Sequence, residues 1–501
     1  MYYDRLKIHF ASLFLLLTST LSVWGQGSAE GLQLSVATGG LGSSGRTAPF
    51  WTIHGQGGRR SLEPNKVWAE VAGSYERQLG GLHRVGAVVD VVAEQGLKPK
   101  YRLRQAGVMY QLPWVGVKVG AWEYHDVIDY APQKSGAMVL SNNSAPIPMV
   151  MLYTPRFLDL PWTDGWASAY AEFSFGRFFE DRFNQLTYPN ARKGQYTLGT
   201  LWHHKTGYLR FGKPDALIPV VLTIGGTHAA HWGGRHYDHE EREPQSIKDF
   251  ARIVLGKSGG ADATISDQIN VLGNHYGQYL VQLEWHTRPG IWQLYHQKIF
   301  EDKSGIEWSN GADGLWGIHY TFDNDHQWVK HLMVEWVTTL DQSGPFHIID
   351  FHRPNGEGRG GGADSYYFNG EYRSGANYLG MRIGNPLLIT PLYHQYLAEG
   401  ERAIFHSRVQ ALHFGIGGRI APLWDLSYDV KLTHATSYGN YSNRLMEPRK
   451  SFYSYLMVEL PIKPLPQLAV GAELGFDVGD YTPKSLGGGL SVRYTFNRAD
   501  W

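Results

Sequence analysis

Short segments in which apolar and polar residues alternate recur along almost the whole chain. The clearest lies at the C-terminus, where "LSVRYTFN" puts Leu490, Val492 and Phe496 on one face and Ser491, Arg493 and other polar residues on the opposite face. A period of two residues predicts a β-strand with two chemically different faces. The other segments are separated by Gly, Pro or Asn clusters, and most have the roughly 9–11 residues that a tilted membrane-crossing strand needs.

The first residues predict export from the cytoplasm. A basic start with Arg5 and Lys7 is followed by the apolar run "FASLFLLLTSTLSV" and by small Gly25. This is the layout of a secretory signal peptide, and we place its cleavage between Gly25 and Gln26. The apolar run is shorter than the roughly 20 residues of a spanning helix. We therefore predict a signal peptide at residues 1–25 and a mature chain without a helical anchor.

Composition favours one large closed β-structure over several globular domains. The 501 residues include 60 Gly, 17 Trp and 30 Tyr and no Cys, and we find no Ser/Pro-rich hinge or charge block. The absence of Cys argues against a lipoprotein or a disulfide-stapled domain. A formal net charge of zero without a basic patch argues against nucleic-acid binding. A soluble propeller or β-helix would need internal repeats of fixed period, which the sequence lacks.

The predicted fold is therefore all-β, a single-chain transmembrane antiparallel β-barrel with short helical or loop plug elements. Segmentation of the sequence gives roughly 16–20 strands. We assign residues 26–65 to an N-terminal plug or entry segment and residues 66–501 to the barrel. Within the first of these, the Gly/Ser/Arg-rich stretch from Leu41 to Glu63 suits a plug. The spacing in "PQSIKDFARIVLGK" predicts one amphipathic helix, in a loop or against the lumen wall.

Three segments carry side chains that could bind a metal, bind a sugar or act in catalysis. The segment "HAAHWGGRHYDHEE" carries His228, His231, His236, His239, Glu240 and Glu241, which suit Zn²⁺ as ligand types. Its spacing matches no zinc signature, so we favour a polar loop and predict no metal. A serine hydrolase is disfavoured because no Ser stands out beside a His in a pair of predicted strands.

The segment "YHQKIFEDKSGIEWSNGADGLWG" is the most suggestive one. If a strand ends near Glu301 and another begins at Leu315, then acidic residues gather at one end of the barrel beside Trp308. Two carboxylates could in principle cleave a glycoside, but one of them needs a pocket that raises its pKa. We weigh a solvated loop and a sugar contact above catalysis. The acids are Glu301, Asp302, Glu307 and Asp313.

A second loop-like segment, Phe351 to Tyr378, adds Asp364, Tyr366 and Tyr367. Tyrosine rings flanked by polar groups can stack on and hydrogen-bond to pyranose rings. A flexible extracellular loop is the alternative interpretation. Together with Trp308 and the four acids above, these three residues are our candidate carbohydrate-binding residues.

Six further segments are distinctive in their order along the chain: "TAPFW", "SGAMVLSNNSAPIPMV", "HAAHWGG", "LGNHYGQYLVQLEW", "YHQKIFEDKSGIEWSNGADGLWG" and "YYFNGEYRSGANYLGMRIGNPL". Together they resemble the Wzi-type capsule-assembly proteins of the Gram-negative outer membrane. The resemblance covers nearly the whole mature chain and implies a barrel of about 18 strands. It also implies a lectin that holds surface polysaccharide on the cell. The segment from Arg235 to Gln268 departs from the pattern and leaves the helices and any plug open.

The leading functional hypothesis is non-enzymatic binding of surface (capsular) polysaccharide, in the outer membrane, with membrane lipids as the other partner. A porin-like channel for solutes or saccharides is the alternative, and a membrane-embedded hydrolase is the third possibility. We predict no catalytic residues and no cofactor. The identity of the polysaccharide and the oligomeric state stay open.

Overall fold

The structure, a computed structural model, describes most of the mature chain. It covers residues 31–497 except 98, 129–130, 188–196, 237–241, 302, 324–327, 345–363, 373, 397–405, 421–424 and 442–443. The predicted signal peptide, Asp302, His239, Glu240 and Glu241 therefore lie outside the described residues.

The described part of the chain forms one large antiparallel sheet that closes on itself. The sheet has nineteen strands, of which the two-residue strand Leu158–Asp159 only extends the edge of β7. The other eighteen form the wall, and β1 pairs with both β2 and β18, which closes the barrel. The fold prediction is confirmed. In chain order, the wall strands are β1 Leu32–Ser43, β2 Lys66–Leu79, β3 His83–Gln95, β4 Pro99–Gln111, β5 Gly116–Ala121, β6 Pro148–Tyr153, β7 Ala167–Arg177, β8 Leu201–Phe211, β9 Val220–Trp232, β10 Asn274–Thr287, β11 Gly290–Phe300, β12 Gly314–Phe322, β13 His331–Thr338, β14 Val409–Ile420, β15 Leu426–Gly439, β16 Arg444–Ile462, β17 Leu465–Gly479 and β18 Ser485–Asn497.

Short helices and two ribbons lie in the connections between wall strands. The helices are α1 Phe50–Ile53, α2 Asp181–Thr187, α3 Ile247–Leu255, α4 Ile265–Ile269, α5 Lys303–Ile306 and a 3-10 turn at Pro391–Tyr396. The two-strand ribbons pair Thr197–Leu198 with Arg235–His236, and Asn377–Tyr378 with Met381–Arg382.

The alternation seen in the sequence becomes the two faces of the wall. In β7, Tyr170, Glu172 and Ser174 point inward and are buried, whereas Phe173 and Phe175 point outward and are exposed. An apolar outer face and a polar inner face are what a strand between lipid and lumen requires. Most short turns, such as 463–464, lie at the barrel end that holds Leu32 and Asn497, and most long connections lie at the other. In outer-membrane barrels the long loops are extracellular.

The predicted boundary at residue 66 is wrong for one strand, because Leu32–Ser43 is a wall strand and not part of a plug. The error comes from glycines, which weaken the alternation in "LQLSVATGGLGS". At Gly39 a Cβ would lie 2.7 Å from the Leu490 carbonyl oxygen, so glycine allows the close pairing of β1 with β18. The following residues, 44–65, do enter the lumen. There the Phe50 amide donates to Asp477 Oδ2 at 2.7 Å, and Trp51 Nε1 donates to Thr433 Oγ1 at 3.0 Å.

Three stretches fill the lumen, and we call the described residues of 44–65, 122–147 and 377–393 the inner segments. An eighteen-strand wall encloses more space than its own side chains fill, and backbone that enters the space needs hydrogen-bond partners. Inward wall residues supply them, since Gln297 Oε1 accepts from the Met138 amide at 2.9 Å and Gln278 Oε1 from the Val139 amide at 3.1 Å. The segments also bond to one another, because Asn143 Nδ2 donates to the Arg382 carbonyl at 2.8 Å.

One charged network pins the first two inner segments to the wall. Arg104 of β4, with a side chain that is 1% exposed, pairs with Asp90 of β3 and, at 2.8 Å, with Glu123 of the second segment. Arg59 of the first segment pairs with the same Glu123 at 3.2 Å and with Glu70 of β2 at 3.0 Å. Burial tends to raise the pKa of Glu123, but Arg59 and Arg104 outweigh it and lower the pKa to about 2.

The predicted helix within "PQSIKDFARIVLGK" is confirmed, but it does not lie against the lumen. Ser246 and Asp249 form a capping box at its start, and Gly256, with φ 60°, ends it. The Phe250 ring stacks on Trp232, with ring centroids 5.5 Å apart, and meets Phe175 edge-on at 5.3 Å. Both partners point outward from the wall. Helix α3 therefore packs on the outer face of the barrel.

The outer face beneath this helix is unusually polar. Lys205 donates to the Val254 carbonyl, and His228 Nε2 lies 2.8 Å from His275 Nδ1. His203 is fully buried, with its ring 5.5 Å from that of Phe250. All these wall residues point outward, where hydrocarbon would leave their polar atoms without partners. The connection from β9 to β10 folds down over them and shields them.

We expect Glu123→Gln to loosen both attached inner segments, because a buried ion network that loses its shared carboxylate leaves guanidiniums uncompensated. The free energy of unfolding should fall by about 3 kcal/mol, and amide exchange should rise in residues 44–65 and 122–147. Glu459→Gln is the control, since its partner Arg493 is exposed at 48% and such pairs contribute at most about 1 kcal/mol.

The wild-type protein should lose this same stabilisation with acid. The pKa of Glu123 is depressed on folding, so its contribution is complete above its ordinary value of 4.5 and disappears as the pH falls toward about 2. Unfolding midpoints followed by gel shift would show this loss in the wild type and not in Glu123→Gln. Parallel acid profiles for the two proteins would contradict the assignment.

Candidate functional site

The loop that carries most of the predicted site residues lies where the sequence placed it. It connects β11 to β12 at the end with the long connections, and it contains α5. The segment that begins at Asp364 lies against it. The two loops are far apart in the sequence, and the structure brings them together over the inner segments. We call residues 303–313, 341–344 and 364–376 the cap.

Asp313 is the centre of the cap. Its side chain is buried, and its carboxylate accepts hydrogen bonds from the backbone amides of Asp341 at 3.0 Å and Gln342 at 2.8 Å. The Tyr366 hydroxyl donates to the same carboxylate at 2.8 Å. Burial raises the pKa of Asp313 to about 6, although the donated hydrogen bonds favour the charged form. With its carboxylate enclosed by protein donors, Asp313 organises the cap and does not face solvent.

The two predicted tyrosines also lie inside the cap. Tyr366 and Tyr367 are fully buried. The Tyr366 hydroxyl accepts from Asn310 Nδ2 at 2.8 Å and from the Ser343 amide at 2.9 Å. The Tyr367 amide donates to the Glu301 carboxylate, and its hydroxyl donates to the Met138 carbonyl. Neither ring presents a free face for a sugar in this conformation, and both join the cap to the elements around it.

Glu307, Trp308 and Asp364 are the exposed members of the predicted set, and Glu301 is partly buried. The Trp308 side chain is 52% exposed. Its ring stacks on Tyr279 at 5.8 Å with an interplanar angle of 9°, and Lys298 Nζ lies 5.6 Å from the ring centroid. Because Tyr279 and Lys298 point outward from β10 and β11, Trp308 lies over the outer edge of the barrel mouth.

The described members of the histidine-rich segment, His228, His231 and His236, do not converge on one point. A strand places residues three positions apart on opposite faces, so His228 points outward and His231 points into the lumen, where Tyr276 Oη lies 3.2 Å from its Nε2. A different trio converges instead among the described residues: His236, Glu243 and Glu371 bring potential ligand atoms within 4.8 Å of one another. His236 Nε2 and Glu243 Oε1 are 2.7 Å apart, which is the distance of a hydrogen bond within the connection from β9 to β10, and Glu371 Oε2 of the cap lies 3.8 Å from the same nitrogen.

Sequence reasoning missed two further places with binding chemistry. A cavity of about 270 Å³ lies in the lumen against Trp122, Tyr153, Tyr170 and Glu172. A second, of about 290 Å³, lies on the outside of the barrel and is lined by Arg177, Arg235 and Arg242 among others. For the lumen cavity, the only available signal was the set of residues on the inward faces of the predicted strands. For the outer cavity, no sequence pattern indicates that its three arginines lie close together.

The described helices include none that is both long and apolar enough to cross a membrane. The closed wall, the apolar outer face and the long loops at one end define the class of protein as an outer-membrane β-barrel whose lumen is filled by its own chain. The family model described as "Capsule assembly protein Wzi" matches residues 70–387, well over half of the chain. The chain belongs to this family, and its location is the outer membrane.

Solved structures agree with this fold. The Escherichia coli protein Wzi, described as an outer-membrane protein involved in group 1 capsule assembly and as a carbohydrate-binding β-barrel, superposes with a TM-score of 0.57 at 12% identity, over 92% of this chain and 84% of that one. Pseudomonas aeruginosa OccK5 (OpdH) gives a TM-score of 0.47 at 10% identity over 94% of this chain and 99% of that one, which is too low to support an inference. No curated protein sequence matches the chain.

We expect Asp313→Ala to open the cap, because it leaves two amides and the Tyr366 hydroxyl without their buried acceptor. Unsatisfied buried groups cost about 1–3 kcal/mol each, so proteases should cleave within residues 303–313 or 364–376 while the wall stays folded. Asp364→Ala, a change at an exposed position, should leave the cleavage pattern unchanged. Equal resistance of both variants would contradict the central role of Asp313.

Proposed function

We propose that the protein binds surface polysaccharide at its extracellular face and holds the capsule on the cell, without cleaving it. Family membership supports this function, and so does the description of the Escherichia coli structure as a carbohydrate-binding barrel. The filled lumen is the observation that favours this function over that of a channel. Met138 and Val139 of one inner segment are fully buried, and Leu387 and Leu388 of another are as well.

The exposed surface of the cap offers weak contacts of the kinds that sugars use. Glu307 and Asp364 supply carboxylates for hydroxyl groups, Trp308 supplies a ring face, and Glu301 and Asp302 lie next to them in the chain. A polymer presents the same unit many times, so modest contacts add up to strong retention through multivalency. In this proposal Asp313, Tyr366 and Tyr367 act indirectly, by fixing the positions of the exposed groups.

Hydrolysis is the less favoured function because a suitable acid pair is missing from the described residues of the cap. Asp313 has a raised pKa, as a general acid requires. However, its carboxylate is buried and already accepts three protein donors. We therefore expect purified capsular polymer to keep its chain length after incubation with the protein. Shortened products that depend on Asp313 would establish an enzyme instead.

Trp308→Ala should weaken polymer retention about 2- to 10-fold, the value of one aromatic contact, with no change in the folded-barrel gel shift. Trp285→Ala is a matched control, because Trp285 is 51% exposed against 52% for Trp308 but lies at the opposite end of the wall. Retention would be measured by binding of labelled polymer to cells that express each variant. Equal losses in both variants, or in neither, would remove Trp308 from the site.

The channel alternative makes a separate electrical prediction. A lumen packed with inner segments should give no steady conductance in planar bilayers, whereas an open pore of eighteen strands would conduct strongly. Single-channel recordings of the wild-type protein are the measurement. A stable large conductance would favour a porin over a polysaccharide-binding barrel.

A further inference from the structure

The cavity on the outside of the barrel concentrates positive charge. It has a volume of about 290 Å³, and three arginines, Arg177, Arg235 and Arg242, line it together with Asp181 and Gln245. Among the described residues, none of the three guanidiniums lies within ion-pair distance of a carboxylate. The one acid in the lining, Asp181, accepts from the Gly199 amide at 2.8 Å. We call this cavity the rim pocket.

Two of these arginines repel each other in the folded protein. Arg235 and Arg242 face each other across an isolated antiparallel bridge, and like charges directly opposite each other destabilise a pair of strands. Among the described residues, the neighbouring acid Glu243 does not relieve them, because it is buried and engaged by His236 at 2.7 Å. Such a pair becomes favourable when an anion lies between the guanidiniums, since their planar donors match phosphate oxygens.

The backbone around the third arginine is shaped to make room for its side chain. Gly199 has φ +67°, and a Cβ there would lie 3.0 Å from Arg177 Nη2. A side chain at this position would therefore crowd the guanidinium. The Arg177 Cζ atom also lies 5.8 Å from the centroid of the Phe179 ring, which is 65% exposed. The pocket thus combines a cationic site with an apolar surface beside it.

The strand register places the rim pocket at the upper edge of the apolar band. Arg177 pairs with Leu201 and Ala167 with Phe211, so ten residues of β7 separate the two levels. Ten residues span about 33 Å, which a strand tilt of about 40° reduces to about 25 Å of height. This is about the height of the apolar band of an outer-membrane barrel. Arg177 therefore lies at the level of lipid headgroups.

Exposed apolar side chains on the neighbouring helices α3 and α4 support this position at the membrane surface. Ile247 of α3 is 90% exposed, Leu255 63% and Ile265 of α4 76%. Exposed apolar side chains on short helices beside a membrane wall are typical of elements that lie in the interface. Acyl chains beside these residues would leave a headgroup within reach of the three arginines, whereas the proposed polysaccharide contacts lie on the cap.

We propose that the rim pocket binds the phosphate group of a phosphorylated lipid of the outer leaflet. The guanidiniums of Arg235 and Arg242 bind the phosphate between them, and Arg177 donates from the wall side. The acyl chains lie along the outward faces of β7 and α3, against Phe175 and Phe179. The bound lipid neutralises the repulsion across the bridge and fixes the β9–β10 connection on the wall.

The test uses the full-length barrel in detergent, with diphosphorylated lipid A as the probe and its dephosphorylated form as the comparison. Binding is measured by native mass spectrometry. Arg235→Gln combined with Arg242→Gln, and Arg177→Gln alone, should each weaken binding about 10-fold or more, as expected for lost charge-assisted hydrogen bonds. Arg288→Gln, an exposed arginine in the turn at the opposite end, should bind as the wild type does, and the dephosphorylated lipid should not distinguish the proteins.

Four outcomes would overturn the proposal, three in binding and one in folding. The first is equal binding of the two lipid forms, and the second is inorganic phosphate bound as tightly as the lipid, which would mean a site for a free anion. The third is a loss of polysaccharide binding, with lipid binding unchanged, in the double variant. A melting temperature measured without lipid is the folding control. The double variant should match or exceed the wild type, because the like-charge pair is gone, and a lower value would assign the arginines to the fold itself.

Discussion

The space inside an eighteen-strand wall is the constraint on which the rest of the structure depends. Inward side chains cannot fill it, so chain must enter, and each buried amide that enters needs an acceptor. The wall meets this need with inward glutamines and acids, such as Gln278, Gln297 and Glu335, that bond directly to backbone amides. A polar lumen, which a channel would use for solutes, is used here to hold protein. The cap above it is bonded to this packed interior, since the Tyr367 hydroxyl donates to the Met138 carbonyl.

The outer face obeys the complementary rule. Lipid tolerates no unsatisfied polar group, yet this wall carries Lys205, His203, His228 and His275 on its outward side. The connection between β9 and β10 covers them with α3 and its flanking residues, and Ile253 and Trp232 pack in a small core separate from that of the lumen. One sector of the barrel therefore meets the membrane through a folded loop.

Much of the fold could be predicted from the sequence, because alternation and helix caps are local signals. The strands beside Glu301, the helix after Ser246 and the antiparallel barrel all follow from patterns of two or about four residues. Strand β1 was not predicted, because its glycines interrupt the alternation of apolar and polar residues. The site was harder, since burial depends on which loops meet. Nothing local distinguishes buried Asp313 and Tyr366 from exposed Glu307 and Asp364, and the side of the wall that receives α3 depends on strand register.

The pairing of β1 with β18 has a consequence for how the barrel assembles. Gln33 lies opposite Asn497. Strand β1 therefore cannot form this pair until β18, the last wall strand in the chain, is available. Until then β1 keeps one unpaired edge, which is a template for unwanted pairing, and the closing contact carries the largest loop entropy available to the chain. Pairing of β1 with β18 is therefore expected to be the last step in forming the wall.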